Sequence, residues 1–76
     1  MTFEIHAEGI ADCGFWIATS EDVPGLCVQA DSFDEMVEIV TALVPELLEL
    51  NYIVVGQPTI PLRIMAEKTT AVRVAA

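Results

Sequence analysis

The chain has 76 residues, of which 54% are hydrophobic, 12 are acidic and three are basic, giving a formal net charge of -9. This length fits one small globular domain spanning residues 1–76 and excludes a multidomain enzyme. So few Lys and Arg residues cannot supply the positive charge on which nucleic-acid affinity depends, so we expect no direct binding of DNA or RNA. The negative field instead favours encounter with a basic protein.

The apolar residues are not arranged as a membrane span, because no run approaches the roughly 20 residues that a transmembrane helix needs. The first ten residues contain two glutamates and no Lys or Arg, unlike a secretory or mitochondrial leader. We therefore expect a cytoplasmic protein whose Cys13 and Cys27 are free thiols. A chain this short buries a small core, so we also expect that an oligomer or a partner adds buried surface.

Three strands are predicted in the first 30 residues. Phe3, Ile5 and Ala7 alternate with polar residues, which is the pattern of a strand exposed on one face. A turn follows at Asp12 and Cys13. Residues 15–20 and 26–30 are rich in aromatic and β-branched side chains, and the turn between them contains Pro and Gly.

The register of the second hairpin decides which side chains face the core. Centring its turn between Asp22 and Val23 turns three residues of the second strand inward: Phe15, Ile17 and Thr19. The outer face then presents a mixed group: Trp16, Ala18, Cys27 and Gln29, with Glu4, His6 and Glu8 from the first strand. A shift of one residue would exchange the faces of a strand.

A long helix is predicted from Ser32 to Leu50. Ser32 and Glu35 form a capping box, and apolar residues at three- and four-residue spacing give one buried stripe. Pro45 removes an N–H and crowds the carbonyl of Thr41, which predicts a kink or a break into two helices. Asn51 is expected to end the helix in the left-handed conformation.

The C-terminal segment differs from the rest of the chain, since all three basic residues lie in it: Arg63, Lys68 and Arg73. Residues 52–55 are predicted as a short strand, and residues 60–66 and 71–74 as two further strands or one long bent strand. The predicted fold is therefore α+β: a βββα core with an antiparallel sheet packed on one long helix, followed by C-terminal strands.

No group of residues in the sequence is typical of catalysis. His6 is the single histidine, with Glu4 and Glu8 on the same predicted face, and a general base there would still need a nucleophile or substrate group in reach. Neither cysteine has a basic neighbour that would activate its thiol. The acidic pairs of the second hairpin and of the helix start lack a metal-binding loop. We expect no catalytic residue, metal or cofactor.

The sequence resembles the HicB-like antitoxin domain over roughly residues 3–51. The resemblance rests on ten residues of the second hairpin and the helix start: Gly14, Trp16, Ala18, Asp22, Pro24, Gly25, Asp31, Ser32, Glu35 and Met36. The resemblance implies a core like a truncated RNase H fold that lacks that enzyme's active site, assembled as a homo-oligomer, most simply a dimer. It also implies a partner, the small basic toxin HicA, which cleaves RNA and whose catalytic histidine the antitoxin masks. Many HicB antitoxins also carry an operator-binding module, which the segment after Asn51 does not resemble.

Three hypotheses follow for function. The first is an antitoxin-like protein that neutralises a small basic toxin through six residues: Glu4, His6, Glu8, Trp16, Glu21 and Asp22. The second is a structural homo-oligomer without a toxin partner, in which the C-terminal strands pair across subunits. The third is a small hydrolase that uses His6 or a carboxylate pair. Trp16 is either an interface anchor on the outer face or a side chain packed under the chain's own C-terminal segment.

Overall fold

The computed structural model of the protein describes residues 2–10 and 14–75. These residues form four strands and one helix: β1 (Phe3–Ile10), β2 (Phe15–Thr19), β3 (Cys27–Ala30), α1 (Phe33–Leu50) and β4 (Leu62–Lys68). The strands form one sheet in the order β3-β2-β1-β4. The predicted turn at Asp12 and Cys13, and the state of the Cys13 thiol, lie outside the described residues.

The α+β class is confirmed, but the sheet is mixed where an antiparallel sheet was predicted. Strands β1, β2 and β3 are antiparallel neighbours, whereas β4 pairs parallel to β1. The reason is geometric. The single helix returns the chain to the end of the sheet where β1 begins, so the next strand runs in the same direction as β1 and β3.

One face of the sheet packs on α1 and contains the core. Every second residue of β1 from Phe3 to Ala7 is buried there, as predicted. On the helix side, Met36, Val40, Val44 and Leu48 are buried at the spacing of one helix face. The opposite face of the sheet has no layer packed on it in the described part of the chain.

The predicted register of β2 is wrong by one residue. Ala18 pairs with Val28 and Trp16 with Ala30, so the hairpin is centred on Val23. Ala18 is fully buried on the helix side, while Phe15, Ile17 and Thr19 lie on the outer face. The buried Val23 side chain explains the shift, because it pulls the centre of the loop into the core.

Helix α1 begins as predicted and is not divided by Pro45. The Ser32 hydroxyl oxygen accepts a hydrogen bond from the Glu35 N–H at 3.1 Å, which is an N-cap. The helix continues through Pro45, so the alternative of two helices is wrong. Pro45 lies on the exposed face, where water can reach the carbonyl oxygen that loses its helical partner.

The segments around β4 carry fewer strands than predicted. Residues 52–55 and 71–74 are not strands, and the predicted strand at 60–66 is placed at Leu62–Lys68. Residues 69–75 are exposed throughout. The molecule measures 58 × 19 × 18 Å along its principal axes, so it is far longer than it is wide.

Candidate functional site

The hairpin between β2 and β3 is tied to the beginning of β1 by its polar side chains. The Ser20 hydroxyl donates to the Glu4 carbonyl oxygen at 2.6 Å and accepts from the backbone N–H groups of Asp22 and Val23 at 3.1 and 3.2 Å. One carboxylate oxygen of Asp22 accepts from the Glu4 N–H at 2.8 Å. Asp22 therefore has a structural role in the hairpin, although it is as exposed as Glu21 beside it.

The C-terminal end of α1 lies next to this hairpin. The Asn51 amide donates to the Leu47 carbonyl at 2.8 Å and to the Pro24 carbonyl of the hairpin at 3.4 Å. The helix end therefore places Glu46 and Glu49 at the same end of the molecule as Glu21.

The helix ends in a Schellman motif centred on Tyr52. The Ile53 N–H donates to the Leu48 carbonyl at 2.9 Å and the Tyr52 N–H to the Glu49 carbonyl at 3.1 Å. Asn51, predicted to be left-handed, has φ -99°, and Tyr52 takes the left-handed conformation with φ 58°. Glycine is the usual residue at this position, because a bulky side chain is strained there.

Tyr52 is also 94% exposed, so packing does not explain its strained conformation. Leu50 beside it is 74% exposed. The Schellman hydrogen bonds and the partly buried Ile53 hold the backbone in this conformation, which leaves the Tyr52 ring exposed. Strained backbone clusters at functional sites, and tyrosine is among the residues that dominate protein interfaces.

Two carboxylates border this exposed pair. Glu46, Glu49, Leu50 and Tyr52 line a hollow of about 670 Å³, which we name the helix-end patch. The last turn of α1 contains no basic residue. Carboxylates at the C-terminal end of a helix are disfavoured by the helix dipole, so their position here costs stability and adds to the negative potential of the helix terminus.

The outer face of the sheet carries three of the six predicted site residues. Glu4, His6 and Glu8 point away from α1, as expected, since their neighbours in β1 are buried. A second hollow, of about 420 Å³, lies on this face between β1, β2 and β4; its side chains include His6, Glu8, Ile17, Thr19, Met65 and Glu67.

Trp16 does not lie on that face, so its predicted placement on the outer face is wrong. Its register places it on the helix side, where its ring meets that of Phe33 edge to face with centroids 5.2 Å apart. A Cβ atom on Gly9 would lie 3.2 Å from the Trp16 ring and 3.1 Å from the Lys68 side chain. Trp16 thus packs against Phe33 and next to Gly9 of β1.

The described residues contain no cluster of three or more His, Cys, Asp or Glu side chains suited to holding a metal ion. His6 lies on the outer face opposite Thr19 of β2 and Met65 of β4, with Glu4 and Glu8 two positions away along its own strand.

Within the part of the chain that the structure covers, no helix is both long and apolar enough to cross a bilayer.

The fold and the surface together define a small α+β domain with one open sheet face and an acidic, apolar-centred patch at the helix end. Residues 2–76 match the model of DUF1902, a domain of unknown function, and the chain belongs to that family. Its structure is similar to that of the hypothetical protein TTHA1013 from the extremely thermophilic bacterium Thermus thermophilus. The sequences are 31% identical, the TM-score is 0.71, and the match covers 97% of this chain and 100% of the other. No curated protein sequence is significantly similar to this chain.

The helix-end patch was not predicted from the sequence. Its residues look ordinary in one dimension, since Glu and Leu are common in helices and Asn51 is the better candidate for a left-handed residue. The one available signal was two glutamates among the last five residues of the predicted helix with no Lys or Arg among them, against the helix dipole.

Proposed function

We propose that this protein is an antitoxin-like binding protein that captures a small basic, RNA-cleaving protein of the HicA kind. The observation that carries the proposal is the helix-end patch, in which two carboxylates flank the exposed Leu50 and Tyr52. The net charge of -9 and the three-strand meander followed by one helix also fit the HicB-like resemblance.

The patch suits a two-stage association. The negative potential of Glu21, Glu46 and Glu49 steers a basic partner toward this end of the molecule and raises the association rate. Leu50 and Tyr52 then bury apolar surface against the partner, which slows dissociation. In the proposed complex, coverage of the toxin's active site is what stops RNA cleavage, and the antitoxin needs no catalytic residue of its own.

The first test is an affinity capture with the full chain as bait, at low salt, from the cells that contain it. We expect a small basic protein in stoichiometric amount, released by high salt and able to degrade RNA once free. Capture of the bait alone, or of a basic protein without RNA-cleaving activity, would contradict the antitoxin proposal.

Two double variants with the same change in net charge locate the binding surface. Glu46→Lys with Glu49→Lys reverses the patch, whereas Glu4→Lys with Glu8→Lys reverses the outer face of the sheet. We expect the first pair to slow association of the captured toxin by about tenfold or more and to flatten its salt dependence, and the second to change it far less. The opposite ranking would move the binding site to the sheet face.

A further inference from the structure

The two edges of the sheet differ in length and in what protects them. Strand β3 forms one edge with four residues, whereas β4 forms the other with seven. A long edge strand presents a row of backbone N–H and C=O groups that can pair with another strand, and proteins usually shorten or cover such edges. In the described part of the chain, no segment pairs with the free side of β4.

The side chains of β4 are arranged symmetrically about its centre. Arg63, Met65 and Glu67 lie on the outer face of the sheet, opposite Glu4, His6 and Glu8 of β1. Arg63 and Glu67 carry opposite charges and are each two residues from Met65. When two copies of such a strand pair antiparallel about Met65, each Arg63 lies directly opposite Glu67 of the other copy.

No nearby register offers the same match. Side chains alternate between the two faces along a strand, and residues directly opposite each other point to the same face. Both helices therefore lie on one side of the joined sheet only when the two-fold axis passes between two copies of the same residue. An axis at Ile64 would place Arg63 opposite Met65, and an axis at Ala66 would place it opposite Thr69. Only the axis at Met65 pairs the two opposite charges.

The protomer places two like charges at neighbouring sheet positions, and this pairing would bring an opposite charge beside one of them. Glu67 lies directly beside Glu8 of β1 in the parallel register, and like charges at neighbouring positions on one sheet face repel. A second copy would place a guanidinium next to Glu67 on its free side. On the helix side, the same register sets the half-buried Ile64 against the small, exposed Ala66, so each Ile64 gains an apolar neighbour from the other copy.

We propose that two copies of this chain pair antiparallel along β4, with the two-fold axis at Met65 and two reciprocal Arg63–Glu67 ion pairs. The interface is self-complementary, as a two-fold dimer requires, and it joins the two sheets into one of eight strands. The occupant of the β4 edge is therefore a second copy of the chain. The proposal concerns a different surface from the helix-end patch and does not depend on the proposed toxin.

Charge exchange at the edge tests the register. Sedimentation of the full-length protein over a range of concentrations gives the dimer dissociation constant for the unchanged chain, Arg63→Glu, Glu67→Arg and the variant with both changes. We expect each single change to raise the constant by about tenfold, since each replaces two attractive contacts with two repulsive ones. The combined variant restores both pairs and should return to within about threefold of the unchanged protein.

The Glu67→Arg variant separates a weakened interface from a damaged fold. In the protomer this change replaces the Glu8–Glu67 repulsion with an attraction, so unfolding in dilute solution should become less favourable while dimerisation weakens. A purely structural effect would move both quantities in the same direction. Equal dissociation constants for all four proteins, or a monomer at every concentration, would overturn the proposal.

Disulfide trapping tests the position of the axis. In a chain with Cys13→Ser and Cys27→Ser, Met65→Cys places a thiol directly opposite its own copy, within the separation that a disulfide spans. We expect rapid oxidation to a covalent dimer. Thr19→Cys in the same background is the control, because it lies on the same face two strands away from the edge. Equal cross-linking of the two variants, or no cross-linking of Met65→Cys, would rule out this axis.

Discussion

At the scale of the residue, Tyr52 combines a left-handed backbone with a side chain that is almost fully exposed. A glycine there would keep the Schellman hydrogen bonds without the strain on Cβ. We expect Tyr52→Gly to raise the free energy of unfolding by about 0.5–1 kcal/mol, measured by urea denaturation. Tyr52→Ala keeps a Cβ at φ 58° and serves as the control, with no comparable gain.

The same substitution should weaken capture of the basic partner, because it removes the aromatic ring of the helix-end patch. A variant that is more stable but binds less well would show that the strain at Tyr52 is retained for binding. If Tyr52→Gly bound the partner as tightly as the unchanged protein, the patch would lose its proposed anchor.

A second residue, Gly9, has no side chain, and the Trp16 ring packs in the space that a side chain would fill. An added Cβ would meet the ring at 3.2 Å and the Lys68 side chain at 3.1 Å, both closer than ordinary contact. Lys68 can move away, whereas the Trp16 ring also packs edge to face on Phe33. We expect Gly9→Ala to lower the free energy of unfolding by about 1 kcal/mol. The effect should shrink in a Trp16→Leu background, and an equal loss in both backgrounds would exclude the ring as its cause.

At the scale of the element, α1 tolerates a proline in its interior because the apolar residues on both sides of it are buried. Val44 and Leu48 hold the helix on the sheet before and after Pro45. We expect Pro45→Ala to raise the free energy of unfolding by about 2 kcal/mol, since a helical N–H is regained and only part of the gain is offset by a less restricted unfolded chain. Glu46→Ala, at the next exposed position, should change it by only a few tenths, and a similar gain in both variants would remove proline as the cause.

The elements that local chemistry specifies were predictable, and those that depend on distant contacts were not. The helix start follows from Ser32 and Glu35, three residues apart. The register of β2 depends on the burial of Val23, and the parallel direction of β4 depends on where the helix returns the chain. Consequently Glu4, His6 and Glu8 were placed on the correct face, and Trp16 was placed on the wrong one.

At the scale of the whole molecule, the length of 58 Å has a specific source. The radius of gyration is 14.8 Å, whereas a compact domain of this size has about 11 Å. Residues 69–75 leave the sheet at the end opposite the helix-end patch and are exposed, with Val72 at 83% and Val74 at 88%. The protomer therefore gains little stability from this segment.

Two truncations test the different contributions of the segment and the strand before it. A chain ending at Lys68 keeps β4, so we expect its free energy of unfolding in dilute solution to stay within about 0.5 kcal/mol of the full chain. A chain ending at Thr59 loses β4, which exposes the edge of β1 and uncovers part of the core next to Ile5, and it should be unfolded or aggregated. Urea denaturation and light scattering distinguish these states. If the chain ending at Lys68 lost about 2 kcal/mol or more of its free energy of unfolding, residues 69–76 would pack on the domain. If the chain ending at Thr59 were folded, the three-stranded meander and α1 would suffice without β4.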